Sequence, residues 1–162
     1  MVKDRQAQYG DLQPTLFAGD NIGASQLANG LFHEEPVTAA GNDKAKFKIG
    51  FIGEVLEGTP TIVTPTGVAG LTFQDEADAA NRVVKQLQKK GVSTAVLVIH
   101  QGGFQNPSSA AALNGCAGNL AGSDIAEIAA RLDPAIKVIV SAHTHAEYRC
   151  TISIGGVTTM RW

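Results

Sequence analysis

"IKVIVSAHTHAEYRC" (136–150) begins as a strand and ends as something a core does not require. Ile136–Ser141 is a short apolar run of the kind that suits a strand covered on both faces. Ala142 follows, and then His143 and His145, two residues apart. Two other stretches read the same way: Thr94–Ile99 (TAVLVI) runs into His100, and Thr15–Gly19 (TLFAG) runs into Asp20. A fourth, Phe47–Val55 (FKIGFIGEV), is similar but interrupted by glycines.

Between these runs lie amphipathic helical patterns. Over Asp75–Lys90 the spacing puts Ala79, Val83 and Leu87 on one face and Lys85, Gln88 and Lys89 opposite, with Gly91 in the place of a C-terminal glycine. Ile125, Ile128, Ala129 and Leu132 form a second stripe, opened by Ser123-Asp124 and with Asp124 and Glu127 spaced as a loose capping box. Ala24–Phe32 is a shorter helix candidate. Strands alternating with helices predict an α/β fold, with helices packed on a mainly parallel sheet. Two long loops, Leu56–Leu71 and Gln101–Gly122, interrupt it, and loops of that length are commonly functional.

With 162 residues, 44% of them hydrophobic, a single domain over 1–162 is the expectation. A net charge of -2 offers no electrostatic footprint for nucleic acid or an anionic membrane, so neither is expected as a partner. The apolar runs are too short to span a bilayer, and Met1-Val2-Lys3-Asp4 opens no apolar leader.

In an open α/β sheet the C-terminal strand ends form the ligand crevice. Asp20, His100, His143 and His145 all follow strand candidates and are expected to converge there. Asp and His together are a ligand set for Zn, Mn, Fe, Ni or Co. On an extended segment His143 and His145 would share one face, because strand side chains alternate. A carboxylate can bridge two cations, and such a pair lowers the pKa of a bound water, which suits phosphoester hydrolysis. His33, in "LFHEEP" (31–36), reads as a solvated surface histidine. A Rossmann-type nucleotide module is disfavoured: no G-x-G-x-x-G follows the first strand candidate, and Asp20 stands where a pyrophosphate would approach. Cys116 and Cys150 show no CxxC spacing, which leaves either a bonded pair or two separate buried thiols.

"AGDNIGAS" (18–25), "KIGFIGEV" (48–55), "TPTIVTPTGVAGLTFQDEADAANRVVKQL" (59–87), "VIHQGG" (98–103) and "SAHTHAEYRC" (141–150) together resemble the calcineurin-like metallophosphoesterases. The nearest branch is the secreted 5′-nucleotidase/2′,3′-cyclic phosphodiesterase group, and the resemblance covers nearly the whole chain after about residue 12. It implies a layered metallophosphoesterase-like fold, here incomplete, hydrolysis of a nucleotide or other small phosphoester, and divalent metal cofactors. It also implies a periplasmic or extracellular location and a Cys116–Cys150 disulfide. The family's motifs map a metal-bridging role onto Asp20, one ligand onto His100, ligands to each of two metals onto His143 and His145, and a further ligand onto Asn42.

This chain departs from the family in several places. No Asp-x-His triplet occurs, Asp43 follows Gly41-Asn42 where the family has histidine, and Ala142 replaces the glycine of Gly-His-Thr-His. Only Lys44 to Phe47 stand where the family carries a long segment before "GFIG" (50–53), and the family's C-terminal specificity domain has no counterpart. On that mapping one metal keeps Asp20, His100 and His143, with Asn42 a further candidate, and the other keeps Asp20 and His145. The expectation is a metal-dependent nucleotide phosphoesterase with an impaired second site, or a non-catalytic metal- or phosphate-binding remnant. No residue is assigned as acid or base.

Overall fold

The computed structural model describes residues 38–40, 48–105, 120–149, 151–154 and 157–158. The strand candidate 15–19, the helix candidate 24–32, Asp20, His33, Asn42, Cys116 and Cys150 lie outside them. Strands β1 (Thr38–Ala40), β2 (Lys48–Glu54), β3 (Thr94–Ile99) and β4 (Ile136–Ser141) form one sheet in the order β1-β2-β3-β4. β2, β3 and β4 are parallel, and β1 pairs antiparallel with β2 at the edge. Helix α1 (Thr59–Ile62) precedes α2 (Glu76–Lys89), and α3 (Asp124–Arg131) connects β3 to β4. A two-stranded ribbon, β5 (Ser153–Ile154) with β6 (Val157–Thr158), follows. The fold is α/β, as the alternation of strand and helix patterns predicts.

Both sheet faces carry apolar side chains, which is why the strands lack polar alternation. Ile52, Ala95, Leu97, Ile99, Ile136 and Ile139 form the core shared with α2 and α3. Phe51, Val96 and Val98, with Ile49, Val138 and Val140, form a second cluster. Ile136 and Ile139 reach the same core despite their odd spacing because the β3–β4 register slips there: Ala95 opposes Ile136, but Val96 opposes Val138. The additional residue, Lys137, is exposed and inverts the parity of the strand beyond it. That inversion gives Ser141 the parity of Ile139, the same parity that reaches the helix-side core.

Three sequence readings are corrected. The buried stripe of α2 is Glu76, Ala77, Ala80, Val84 and Leu87, so Ala79 and Val83 flank the core face. Leu87 lies against β2 so closely that a Cβ on Gly50 would stand 2.5 Å from it, which explains one glycine of that strand. The capping box at α3 does not form: Ser123 is the N-cap, but its hydroxyl accepts the Phe104 N–H at 3.0 Å, and Asp124 binds Gln101. The loop 56–71 contains α1 and a 3-10 turn (Pro65–Val68), each opened by a proline whose missing N–H costs nothing in a first turn.

The helices are tied at their ends. Asp75 caps α2 by accepting the Asp78 N–H and takes a bidentate pair from Arg131, both contacts 2.7 Å. The Arg131 guanidinium holds the Asp75 carboxyl below the usual carboxylate range. Asn81 donates to the Arg131 carbonyl at the end of α3 and accepts the Asp133 N–H. Asp75 at the N-cap of α2 and Asn81 within it thus both hold the C-terminal end of α3.

Candidate metal centre

The C-terminal ends of β3 and β4 lie side by side, with Ile99 opposite Ser141. The residues that follow each strand are therefore delivered to one place. His143 Nδ1 and His100 Nε2 stand 3.3 Å apart, their rings near edge-to-face with centroids 5.0 Å apart. A short N–N approach needs one ring to donate and the other to accept. The same spacing suits a cation: two nitrogens bound at about 2.0–2.1 Å to one tetrahedral ion stand about 3.3–3.4 Å apart. Imidazole nitrogens are donors that borderline divalent metals accept, and two of them make part of such a ligand set.

The histidine segment is not extended, and this corrects the same-face reading of His143 and His145. β4 ends at Ser141, and both histidines have left-handed backbones, φ 73° at His143 and φ 53° at His145. The Thr144 N–H bonds the Ala142 carbonyl at 2.9 Å, closing a three-residue γ-turn centred on His143. That turn is rare and strained for a residue with a Cβ, and persists only where surroundings enforce it. His143 is half-buried and reaches His100, whereas His145 is exposed. Among the described residues no group of three or more His, Cys, Asp or Glu is arranged to hold a metal. The remaining mapped ligands, Asp20 and Asn42, fall outside the described residues.

The surroundings that enforce the turn come from Gln101-Gly102-Gly103. A Cβ on Gly102 would lie 2.2 Å from the Ala142 carbonyl oxygen and 2.7 Å from Thr144 Oγ1, so only glycine permits the approach. The Ala142 N–H donates to the Gln101 carbonyl at 3.3 Å, and Thr144 Oγ1 donates to the Gly103 carbonyl at 3.0 Å. The Gln101 side chain is buried, accepts the Gly102 N–H at 2.9 Å and donates to Asp124 at 3.2 Å. Sequence reasoning singled out the histidines and missed Gln101, Thr144 and Tyr148. The adjacent glycines of "HQGG" (100–103) were the available signal, since paired glycines after a strand mark close backbone approach.

Beside the histidines opens a cleft of about 740 Å³, lined in part by Gln101, Phe104, Ser123, His143 and Thr144. Glu57, Asp75, Glu76, Asp124 and Glu127 make it acidic, with Arg131 the one cation among its lining residues. Glu76 is buried at the first turn of α2, where the helix dipole favours an anion, and accepts the Glu57 N–H at 2.8 Å. No helix among the described residues is long and apolar enough to cross a membrane.

An α/β sheet with a histidine pair at its C-terminal edge is the class of protein that the geometry defines. The chain is 33% identical over 97 residues to Endonuclease YhcR of Bacillus subtilis (strain 168), an alignment covering 60% of this chain and 7% of that protein. It is 34% identical over 65 residues to a 5'-nucleotidase of Vibrio cholerae serotype O1, covering 40% of this chain and 12% of that one. The chain therefore spans only a small part of the curated relatives it matches. No family model matches it.

Proposed function

We propose that this chain carries part of the metal centre of a metallophosphoesterase-like hydrolase acting on nucleotide phosphoesters. The observation that carries the reading is the 3.3 Å approach of His143 Nδ1 to His100 Nε2 on adjacent strand ends. Relatives named as an endonuclease and a 5'-nucleotidase support the phosphoester chemistry. His100 and His143 would hold one divalent metal; the resemblance would add Asp20 and Asn42 to that metal and give His145 with Asp20 to a second. A divalent cation there supplies Lewis-acid stabilisation of charge developing on the phosphoryl oxygens. The chain's own residues present the imidazoles side by side, and Gly102 lets the turn that carries His143 pack against the loop after His100. Small nucleotides are the proposed substrates, a choice that rests on the relative named a 5'-nucleotidase. The Cys116–Cys150 disulfide and an extracytoplasmic location belong to the same reading.

The test is titration of metal-depleted protein with Mn(II), Co(II) and Zn(II), following hydrolysis of an aryl phosphate, a nucleoside 5′-phosphate and an oligonucleotide. Metal-dependent turnover that is abolished by His143→Ala supports the proposal. Tight metal binding with no turnover on any substrate identifies a non-catalytic remnant, and no binding at all removes the metal reading.

A further inference from the structure

The γ-turn at His143 stores strain, and the structure shows what holds it. Tyr148 is buried in the helix-side core, and its phenol oxygen meets Ser141 Oγ at 2.5 Å. Burial raises the pKa of this phenol, and the Ser141 hydroxyl and the nearby Gly103 backbone N–H act against that rise. Ser141 is the last residue of β4, two before His143, and Gly103 is three beyond His100. The phenol therefore ties down the end of the strand that leads into His143. The Gly103 carbonyl is held in turn by Thr144 Oγ1 at 3.0 Å. The phenol and the Ser141 hydroxyl satisfy one another, whichever of them donates.

We propose that Tyr148 is a positioning residue: through Ser141 its hydroxyl holds the strained turn in place, presenting His143 to His100 before any ligand arrives. The inference rests on the metal reading only for its consequence, since the pairing it explains is a property of the protein alone. Groups that orient metal-binding histidines typically change metal affinity by about 10–100-fold when removed. The Tyr148→Phe change keeps the ring and deletes only the hydroxyl.

The experiment uses metal-free protein. Nuclear Overhauser contacts between the His100 and His143 rings are compared in wild type, Tyr148→Phe, Ser141→Ala and Ser141→Thr, with circular dichroism reporting the fold. Cobalt(II) affinity is then read from its ligand-field spectrum. The expected result is loss of the ring–ring contact in Tyr148→Phe and Ser141→Ala with the fold retained, and its recovery in Ser141→Thr, which keeps the hydroxyl. Cobalt affinity should fall about 10–100-fold in the first two variants. A contact that persists undiminished in a folded Tyr148→Phe overturns the proposal. If that variant does not fold, the same judgement passes to Ser141→Ala, which removes the bond from its half-buried partner. Wild type that shows the contact but binds no cobalt removes the metal reading and leaves Tyr148 judged by the rings alone.

Discussion

Replacing Gly102 by alanine tests the central geometric claim, that the loop after β3 dictates the conformation of the histidine turn. The added methyl would sit 2.2 Å from the Ala142 carbonyl oxygen and 2.7 Å from Thr144 Oγ1. Reaching an ordinary contact of about 3.4 Å requires one backbone segment to retreat by about 1 Å, since a carbonyl oxygen has no rotamer to change. Overpacking costs about 1–3 kcal/mol, and a backbone obstacle places Gly102→Ala near the upper end. For a chain of this size about 3 kcal/mol lowers Tm by roughly 6–12 °C. The retreat also separates His143 from His100, so the ring–ring contact in metal-free protein should vanish. Gly91→Ala is the control. Gly91 has φ +77°, and a methyl added there would meet nothing within 4 Å. Only backbone strain of about 1 kcal/mol is then added, and the histidine contact survives. Thermal unfolding by circular dichroism, with the ring contact measured in parallel, decides the matter. A Gly102→Ala protein that melts within a degree of wild type and keeps the contact refutes the reasoning.

His143→Gly should be more stable than His143→Ala by up to about 1 kcal/mol, because glycine adopts φ 73° without a Cβ penalty; denaturant titration measures it, and the reverse order would show no strain. Leu97→Ala, at a side chain with no exposure, should lose about 2–5 kcal/mol in the same assay. Asp75→Asn keeps the helix cap but loses the Arg131 pair. Because the folded carboxyl is held below the ordinary aspartate value of 3.8, the pair's contribution is present above that pH and is lost as pH falls through the folded value. Wild type should therefore lose more stability than Asp75→Asn on acidification below about pH 4, by an amount that added salt reduces. If Cys116 and Cys150 are bonded as the resemblance implies, thiol titration of the denatured, unreduced protein should find no free thiol.

The sequence by itself determined the alternation of strands and helices, and it did so through apolar periodicity that any two-sided parallel sheet must show. It also placed His100 and His143 at strand ends, because the runs before them stop where polar residues begin. Parity and backbone sign were decided by tertiary structure. The slipped register at Lys137 inverts which residues of β4 share a face, and no local propensity marks it. The left-handed turn at His143 opposes local preference. It exists because Gly102 lets a carbonyl approach within reach and because Thr144 holds the Gly103 carbonyl. Such bonds join residues about 40 positions apart, so their sum becomes visible only when the chain has folded.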